Sequence, residues 1–596
     1  MTLFSSGCYR FSVIHPQGPA EAPAPVVPLL PQLLEFAARQ YGDAPFLLAH
    51  REGEWRARSF AESARQMHAF AALLEREGVR PGDRVGLQSE NRPEWGLAYL
   101  AVIETGAVVV PLDAQLKAQE VGEILATAGA TRCIVSERQR QTLEAVRAER
   151  LPQLRLLSLD PGRDLPGWED AMREFGDAAP RQLTAQPNDL AVLIFTSGTT
   201  GHAKGVMLSH ANLLFNVEAV AKTLQFGPAD RLLSVLPLHH TFESTGGFLC
   251  AMRMGASVAY ARGLNSKELR EDLQSSGTTL FIAVPLLYEK LLSAIQRGIS
   301  ERPFPQRLSV RALLAVARLA RILTGARIGR QLMRPLRVKA GLGSLRLFVC
   351  GAAPLAPEVF YGFLDLGLPV LEGYGLTETS PVACANRPSR PEPGGVGWPV
   401  PGVEVRIADP DEEGNGEIAI RGPNVMLGYY GNPRGTAEVL RDGWLYTGDL
   451  GRLLPDGRLR ITGRLKNMIA TAAGKKIYPE EIEVYLANSP YVLEVMVVGG
   501  RDVRGEREEV HAYLVPNLPE IEARAASEGR KADDAYVEAL LRHEVEARCA
   551  TLAPYKRVKR VFIRWQEFPK TTTGKIRRQS FTADAESESR RVGAVA

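Results

Sequence analysis

Residues 195–205 read FTSGTTGHAKG. Gly198 and Gly201 free the backbone to turn its N–H groups toward an anion. Thr196, Ser197, Thr199 and Thr200 add hydroxyl donors, and Lys204 adds a full positive charge. The set suits a phosphate, yet the spacing is not that of a P-loop, which needs Gly, four residues, then Gly-Lys-Ser/Thr. Standing alone, a Gly/Ser/Thr string is more often a surface turn. This one is followed by further polar, glycine-punctuated strings: GYGLTETSP (373–381), GWLYTGDLG (443–451), GRLKNMI (463–469) and PKTTTGKIRR (569–578).

These residues need a scaffold, and the hydrophobic pattern supplies one. RVGLQ from Arg84, GAVVVPL from Gly106, CIVS from Cys133, LAVLIF from Leu190, ASVAY from Ala256 and LFIAV from Leu280 are short apolar runs with amphipathic helical stretches between them. Such alternation predicts largely parallel sheets covered by helices. LAVLIF reads as a buried strand and Ser209 as the N-cap of a helix, so the loop between them leaves a strand's C-terminal end, where ligands sit in α/β sheets. Beyond about Gly395, VEVRIAD, GEIAIRG and GRLRITGR are separated by turn signals and predict a smaller, more antiparallel subdomain. The expected class is therefore α/β. A large N-terminal domain of mostly parallel sheets flanked by helices, with a small β-rich subdomain, precedes a small mobile α+β C-terminal domain. The expected limits are a flexible arm over 1–31, the large domain over 32–464, the small domain over 465–583 and a disordered tail over 584–596.

Taken in order, these strings resemble the signatures of the adenylate-forming superfamily, which holds acyl-CoA synthetases, adenylation domains of peptide synthetases, and luciferases. The resemblance implies a reaction in which a carboxylate attacks the α-phosphorus of ATP, giving an acyl-adenylate and pyrophosphate, before a thiol displaces AMP. It implies that Glu378 and Thr196 hold magnesium, two hard oxygen ligands that suit this ion beside phosphate oxygens. Lys204 and the 197–201 loop cradle the triphosphate, and Thr377 donates to the α-phosphate. Tyr374 packs on adenine along the backbone of Gly351, Ala352 and Ala353. Asp449 and Arg464 reach the ribose, Lys466 is the hinge, and Lys575 is the catalytic lysine that bridges the attacking carboxylate and the α-phosphate. Two half-reactions with different needs then imply two orientations of the small domain.

LPLHHTFES (236–244) corresponds to the acyl-pocket region of that family, so His239 or His240 is a candidate to face the substrate carboxylate. Adjacent side chains point in different directions, and at least one histidine is expected to be structural. Residues 302–339 contain ten Lys/Arg and no Asp or Glu, with apolar residues at helical spacing. A basic amphipathic helix of this kind fits either an anionic membrane surface or an ordinary solvated face. A similar insertion occurs in the long-chain branch of the family, which points to long- or medium-chain fatty acids as substrates, with ATP and coenzyme A. Open alternatives are a fatty acyl-AMP ligase, an acyl-carrier-protein acceptor, an aromatic acid, a luciferase-like oxygenase, and a non-catalytic binding protein of the same fold. No thiol-site residue is assigned, because IATAAGKKIYPEEIE (469–483) departs from the short-chain pattern by an extra residue before Gly474.

Composition narrows the classes further. A chain of 596 residues exceeds one ordinary core. A net charge of +4 over so large a surface gives no case for nucleic-acid binding. The six cysteines are scattered without a C-x-x-C pair, which fits a reducing compartment. No signal peptide or spanning helix is legible; Glu104 breaks the best apolar run. The expected location is cytoplasmic, with any membrane contact peripheral, and a homodimer is left open.

Overall fold

The computed structural model describes residues 11–14, 22–162, 164–196, 203–324, 331–470, 476–501, 508–570, 576 and 578. The chain divides into two compact units. The larger comprises Ile14–Val405 and Ile420–Leu445. The smaller comprises Met1–Val13, Arg406–Ala419 and Tyr446–Ala596.

The larger unit is built on two sheets. One has seven strands in the order Gly428–Tyr429, Lys204–Ser209, Leu190–Thr196, Val108–Leu112, Arg84–Gln88, Arg132–Val135, Arg155–Ser158. The last five run parallel, and the first two are antiparallel additions. The other sheet has nine strands, and its middle is parallel: Val370–Gly375, Leu347–Cys350, Leu280–Ala283, Arg231–Ser234, Ser257–Tyr260 and Pro45–Arg51. Each apolar run predicted as a strand is one. Val108–Leu112 is buried throughout, as expected of a strand with both faces covered.

The helix Pro93–Glu104 is buried on every side. An all-buried helix must neutralise any charge it carries. Glu94 meets Arg58 and Arg92. Burial opposes ionisation of its carboxyl, but the two guanidiniums outweigh that and hold it down at about 2. Glu104, which interrupts the apolar run in the sequence, accepts from or donates to His68 Nδ1 at 2.6 Å. Among the described residues no helix is long and apolar enough to cross a membrane.

In the smaller unit, a hairpin turns at Pro455-Asp456-Gly457, where Leu454 N bonds Arg458 O and Gly457 adopts φ +87°. A separate three-stranded sheet (Val492–Arg501, Glu508–Pro516, Arg560–Ile563) packs with helices Pro479–Ala487, Leu518–Ser527 and Asp534–Cys549 around Ile482, Leu486, Val497, Leu514 and Leu541. Asp533 caps the last of these helices by accepting from Tyr536 N.

Two expectations need correction. The proline-rich arm is not loose throughout. Phe11–Ile14 forms a strand, and Val27, Leu29 and Leu30 are buried in the core, with Leu30 N donating to His210 Nδ1. Apolar residues among the prolines have a surface to cover, which composition does not reveal. The expected boundary at 464/465 also lies inside the smaller unit, because residues 406–419 and 446–464 pack with the C-terminal residues.

Candidate active site

Thr196 and Lys204 face each other at the loop end of an antiparallel hairpin, in direct register. The polar loop between them therefore joins two strands and does not run straight into a helix. The reason lies in GVMLS, whose Val206 and Leu208 alternate with Gly205 and Met207 at the strand period and bury one face. The helix begins one element later, with Ser209 as its N-cap accepting from Asn212 N. Ser197, Gly198, Thr199, Thr200 and Gly201 lie outside the described residues, as does Lys575. Gly205 is fixed by packing: a Cβ there would come within 3.0 Å of Leu193 Cδ1 and 3.2 Å of Tyr430 Cβ.

The second arm is the strand Val370–Gly375, which ends in a 3₁₀ turn over Thr377–Thr379. Gly375 is obligatory, since a Cβ would lie 1.7 Å from Pro381 O. Buried Thr379 closes the turn by accepting from Leu376 N and donating to Pro381 O at 2.6 Å. Two asparagines clamp this loop, and a third fastens the segment that carries one of them. Asn216 and Asn424 each donate to the carbonyls of Thr379 and Val382, while Asn212 donates to Pro423 O and Val425 O beneath Asn424. Tyr374 stands on the strand opposite Cys384, half-buried, and Thr377 and Glu378 follow at its end.

Tyr429 joins the two arms. Its hydroxyl donates to Glu378 Oε1 at 2.8 Å, and Lys204 Nζ sits 4.8 Å from the centre of its ring. Burial first, and then the adjacent Glu378 carboxylate, push the phenol well above its ordinary value, so it stays a donor. Thr196 Oγ1 donates across the hairpin to Lys204 O at 3.5 Å. One carboxylate, one hydroxyl and one ammonium thus converge. Among the described residues no group of three His, Cys, Asp or Glu side chains could hold a metal by itself. A lone carboxylate with a hydroxyl fits a hard cation that takes its remaining oxygens from a phosphate ligand and water.

Gly351, Ala352 and Ala353 leave the strand Leu347–Cys350, the parallel neighbour of Val370–Gly375, at the same end. Ala352 is held at φ +72°, a region L-residues other than Asn and Asp seldom enter, and its side chain is exposed. Strained backbone of this kind concentrates at binding sites. Gly351 is needed because a Cβ would meet the Phe242 ring at 2.9 Å.

His239 and His240 lie on the loop after Arg231–Ser234, their ring centres 4.1 Å apart. Asn91 fastens this loop, donating to Leu236 O at 2.6 Å and accepting from Leu238 N. Burial, reinforced by neighbouring His240, pushes His239 well below its ordinary value, so it is a neutral imidazole 3.6 Å from Asp113 rather than half of an ion pair. The next turn, Ser244–Leu249, is π-helical and packs on the buried Glu243.

In the smaller unit, Asp449 and Arg464 are opposite each other in the hairpin and form an ion pair at 2.5 Å. The Asp449 side chain is 5% exposed and that of Arg464 47%, so the carboxylate is fixed and the guanidinium reaches outward. Lys466 lies in the turn Leu465–Asn467 that follows.

Sequence reasoning missed Tyr429, Asn91 and Asn216. GYYGNP carries no chemical signal in isolation, and an asparagine inside an apolar helix or loop is legible as a clamp only when its carbonyl partners are known.

The AMP-binding enzyme family matches residues 34–430, and the AMP-binding enzyme C-terminal domain matches residues 481–575. The chain is 30% identical over 509 residues to the long-chain-fatty-acid–CoA ligase heimdall of Drosophila melanogaster, covering 79% of this chain and 74% of that protein. It is 32% identical over 470 residues to feruloyl-CoA synthase of Amycolatopsis sp, covering 77% and 84%. Among solved structures, ATP-bound MatB from Rhodopseudomonas palustris superposes with a TM-score of 0.74 at 27% identity, over 93% of this chain and 99% of that one. With the hairpin, the glycine-bounded turn and the Lys204–Tyr429–Glu378 cluster in place, the chain belongs to the AMP-binding enzymes of the adenylate-forming superfamily.

Proposed function

We propose that the protein is an ATP-dependent, AMP-forming ligase that joins long- or medium-chain fatty acids to coenzyme A. A carboxylate oxygen bonds to the α-phosphorus of ATP while the bond to the β-phosphate oxygen breaks, releasing pyrophosphate. The coenzyme A thiol, losing its proton, then bonds to the acyl carbon and AMP departs. The observation that carries this reading is the meeting of Lys204 and Glu378 on Tyr429 at the mouth of the 196–204 hairpin. A cation and a hard-oxygen ligand there suit a substrate whose charge grows during reaction.

In this reading Lys204 and the 197–201 loop hold the β- and γ-phosphates, and Thr377 donates to the α-phosphate. Tyr374 and the Gly351–Ala353 backbone take adenine. Glu378 and Thr196 hold magnesium, which neutralises phosphate charge when bound. Asp449 takes the ribose hydroxyls with Arg464 beside it. Lys575 meets the reacting carboxylate, and the C-terminal part of the chain swings about Lys466 between the two half-reactions. His240 is the better candidate to face the acyl carboxylate, because His239 Nε2 faces Asp113 at 3.6 Å.

The helix Phe304–Thr324 supports a peripheral membrane role. Val310, Leu313, Leu314 and Ala317 pack on the core, while Phe304, Leu308, Val316 and Leu319 are 55–66% exposed beside Arg307, Arg311 and Arg318. An outward row that is both apolar and basic suits an anionic lipid surface. Sedimentation with anionic vesicles at low and moderate salt tests this; absence of binding at both removes it.

The feruloyl-CoA synthase relative favours an aromatic acid as the second reading. A panel from acetate to oleate plus ferulate, scored for AMP and pyrophosphate release with and without coenzyme A, separates the two. AMP release that requires coenzyme A and peaks between octanoate and oleate is expected. If no acid supports exchange of labelled pyrophosphate into ATP, the ligase reading fails.

A further inference from the structure

Helices Ser266–Ser275, Pro285–Ser300 and Arg334–Lys339 enclose a cavity of about 140 Å³ that the ligase chemistry does not use. Its wall is apolar, formed by Leu269, Leu287, Leu291, Ile295 and Leu336. Leu264 forms part of the lining and is itself 56% exposed. Arg270, Lys290, Arg302 and Lys339 also line it, and no carboxylate does. None of these four cations has an ion-pair partner among the described residues. Of the acids that follow Arg270, Glu271 and Asp272 are both engaged by Arg262; Glu289 and Glu301 adjoin Lys290 and Arg302 in sequence but do not line the cavity.

Gly298 adds an independent observation. It sits inside the helix Pro285–Ser300 and lines the cavity, yet a Cβ there would meet nothing within 4 Å. Glycine weakens a helix relative to alanine. Neither packing nor backbone conformation requires it here, and it leaves the exposed rim of the cavity without a side chain.

We propose that this groove binds a single-chain anionic amphiphile, with its headgroup among the four cations and the first part of its chain in the cavity. An apolar cavity of roughly 150 Å³ accommodates a benzene-sized group, so this one takes a comparable short stretch of chain, and the remainder leaves past Leu264. Free fatty acid, acyl-coenzyme A and lysophospholipid share this chemistry. The inference stands independently of the ligase reading.

The test is titration calorimetry on the full-length protein. Decyl phosphate, which has no carboxylate to activate, is compared with inorganic phosphate and with decyl maltoside, each below its micellar concentration. One saturable site is expected for decyl phosphate, at least tenfold tighter than for either comparison probe. The double variant Lys290→Glu/Lys339→Glu is expected to weaken it at least tenfold. Gly298→Leu, which adds an apolar side chain at the lining while favouring the helix, is expected to do the same. Competition by decanoate, S-decyl-coenzyme A and lysophosphatidic acid then identifies the source of the ligand. The proposal is overturned if decyl phosphate binds no better than inorganic phosphate or decyl maltoside, or if binding is unchanged in both variants. It is equally overturned if only bilayer vesicles bind.

Discussion

Replacement of Glu243 by glutamine should stabilise the larger unit, and by an amount that grows with pH. Glu243 is 2% exposed, and its Oε2 has no hydrogen-bond partner. The π-helical turn closes over it so tightly that a Cβ at Gly247 would lie 3.0 Å from its carboxyl. Burial pushes that carboxyl from 4.5 up to about 8, only partly offset by a hydrogen bond from Ser234. The folded protein therefore holds Glu243 protonated at pH 7, whereas the unfolded chain ionises it. A folded-state value above the unfolded one means that its stabilising contribution is complete below pH 4.5 and declines as pH rises through about 8. At about 1.36 kcal/mol per unit, the loss between the acid limit and pH 7 is roughly 3 kcal/mol. Glutamine does not titrate and fills nearly the same volume. Guanidinium unfolding followed by tryptophan fluorescence at pH 5, 6, 7 and 8 compares the two proteins; other titrating groups cancel in the difference. The gap should widen by roughly 3 kcal/mol between pH 4.5 and 7. If wild type and variant lose stability in parallel, Glu243 is not held protonated and the argument from its burial is wrong.

Tyr429→Phe keeps the ring under Lys204 but removes the donor to Glu378. A hydrogen bond to a carboxylate contributes about 1.5–3 kcal/mol, so pyrophosphate exchange should slow by about ten- to a hundredfold with the unfolding midpoint little changed; wild-type exchange would show that Glu378 needs no support. Lys575→Ala should reduce acyl-adenylate formation by at least 10²-fold, the scale of about 3 kcal/mol of lost charge stabilisation, yet spare thioester formation from supplied acyl-adenylate. Equal loss of both half-reactions would contradict the two-orientation scheme. Asn216→Ala strips the half-buried Val382 carbonyl of its 2.7 Å donor, and a cost of about 1–3 kcal/mol is expected in chemical unfolding; no change would mean Asn424 alone fastens the loop.

Much of the fold was legible because a parallel strand buried on both faces must be a short, nearly continuous apolar run. LAVLIF, GAVVVPL and LFIAV could be little else, and all are strands. Capping was equally local: Ser209 and Asp533 each accept from a backbone N–H three residues on. Local signals failed where the outcome depended on a distant surface. The prolines around Val27 suggest a loose arm, but Val27 and Leu29 find a hydrophobic face that only the folded chain presents. The chain beyond the polar loop returns as the strand Lys204–Ser209 because Gly428–Tyr429 and Leu190–Thr196 offer it two edges.

The sequence by itself determined the class of chemistry, because a phosphate cradle is made of residue types and spacings that lie within a few positions of one another. It also determined the alternation of strands and helices, which follows from hydrophobic period alone. Only the tertiary structure decided that Tyr429 joins Lys204 to Glu378, that His239 is neutral and that Glu243 is held protonated. Each of these depends on which groups surround a side chain and how much water they exclude, and residues far apart in the chain set both.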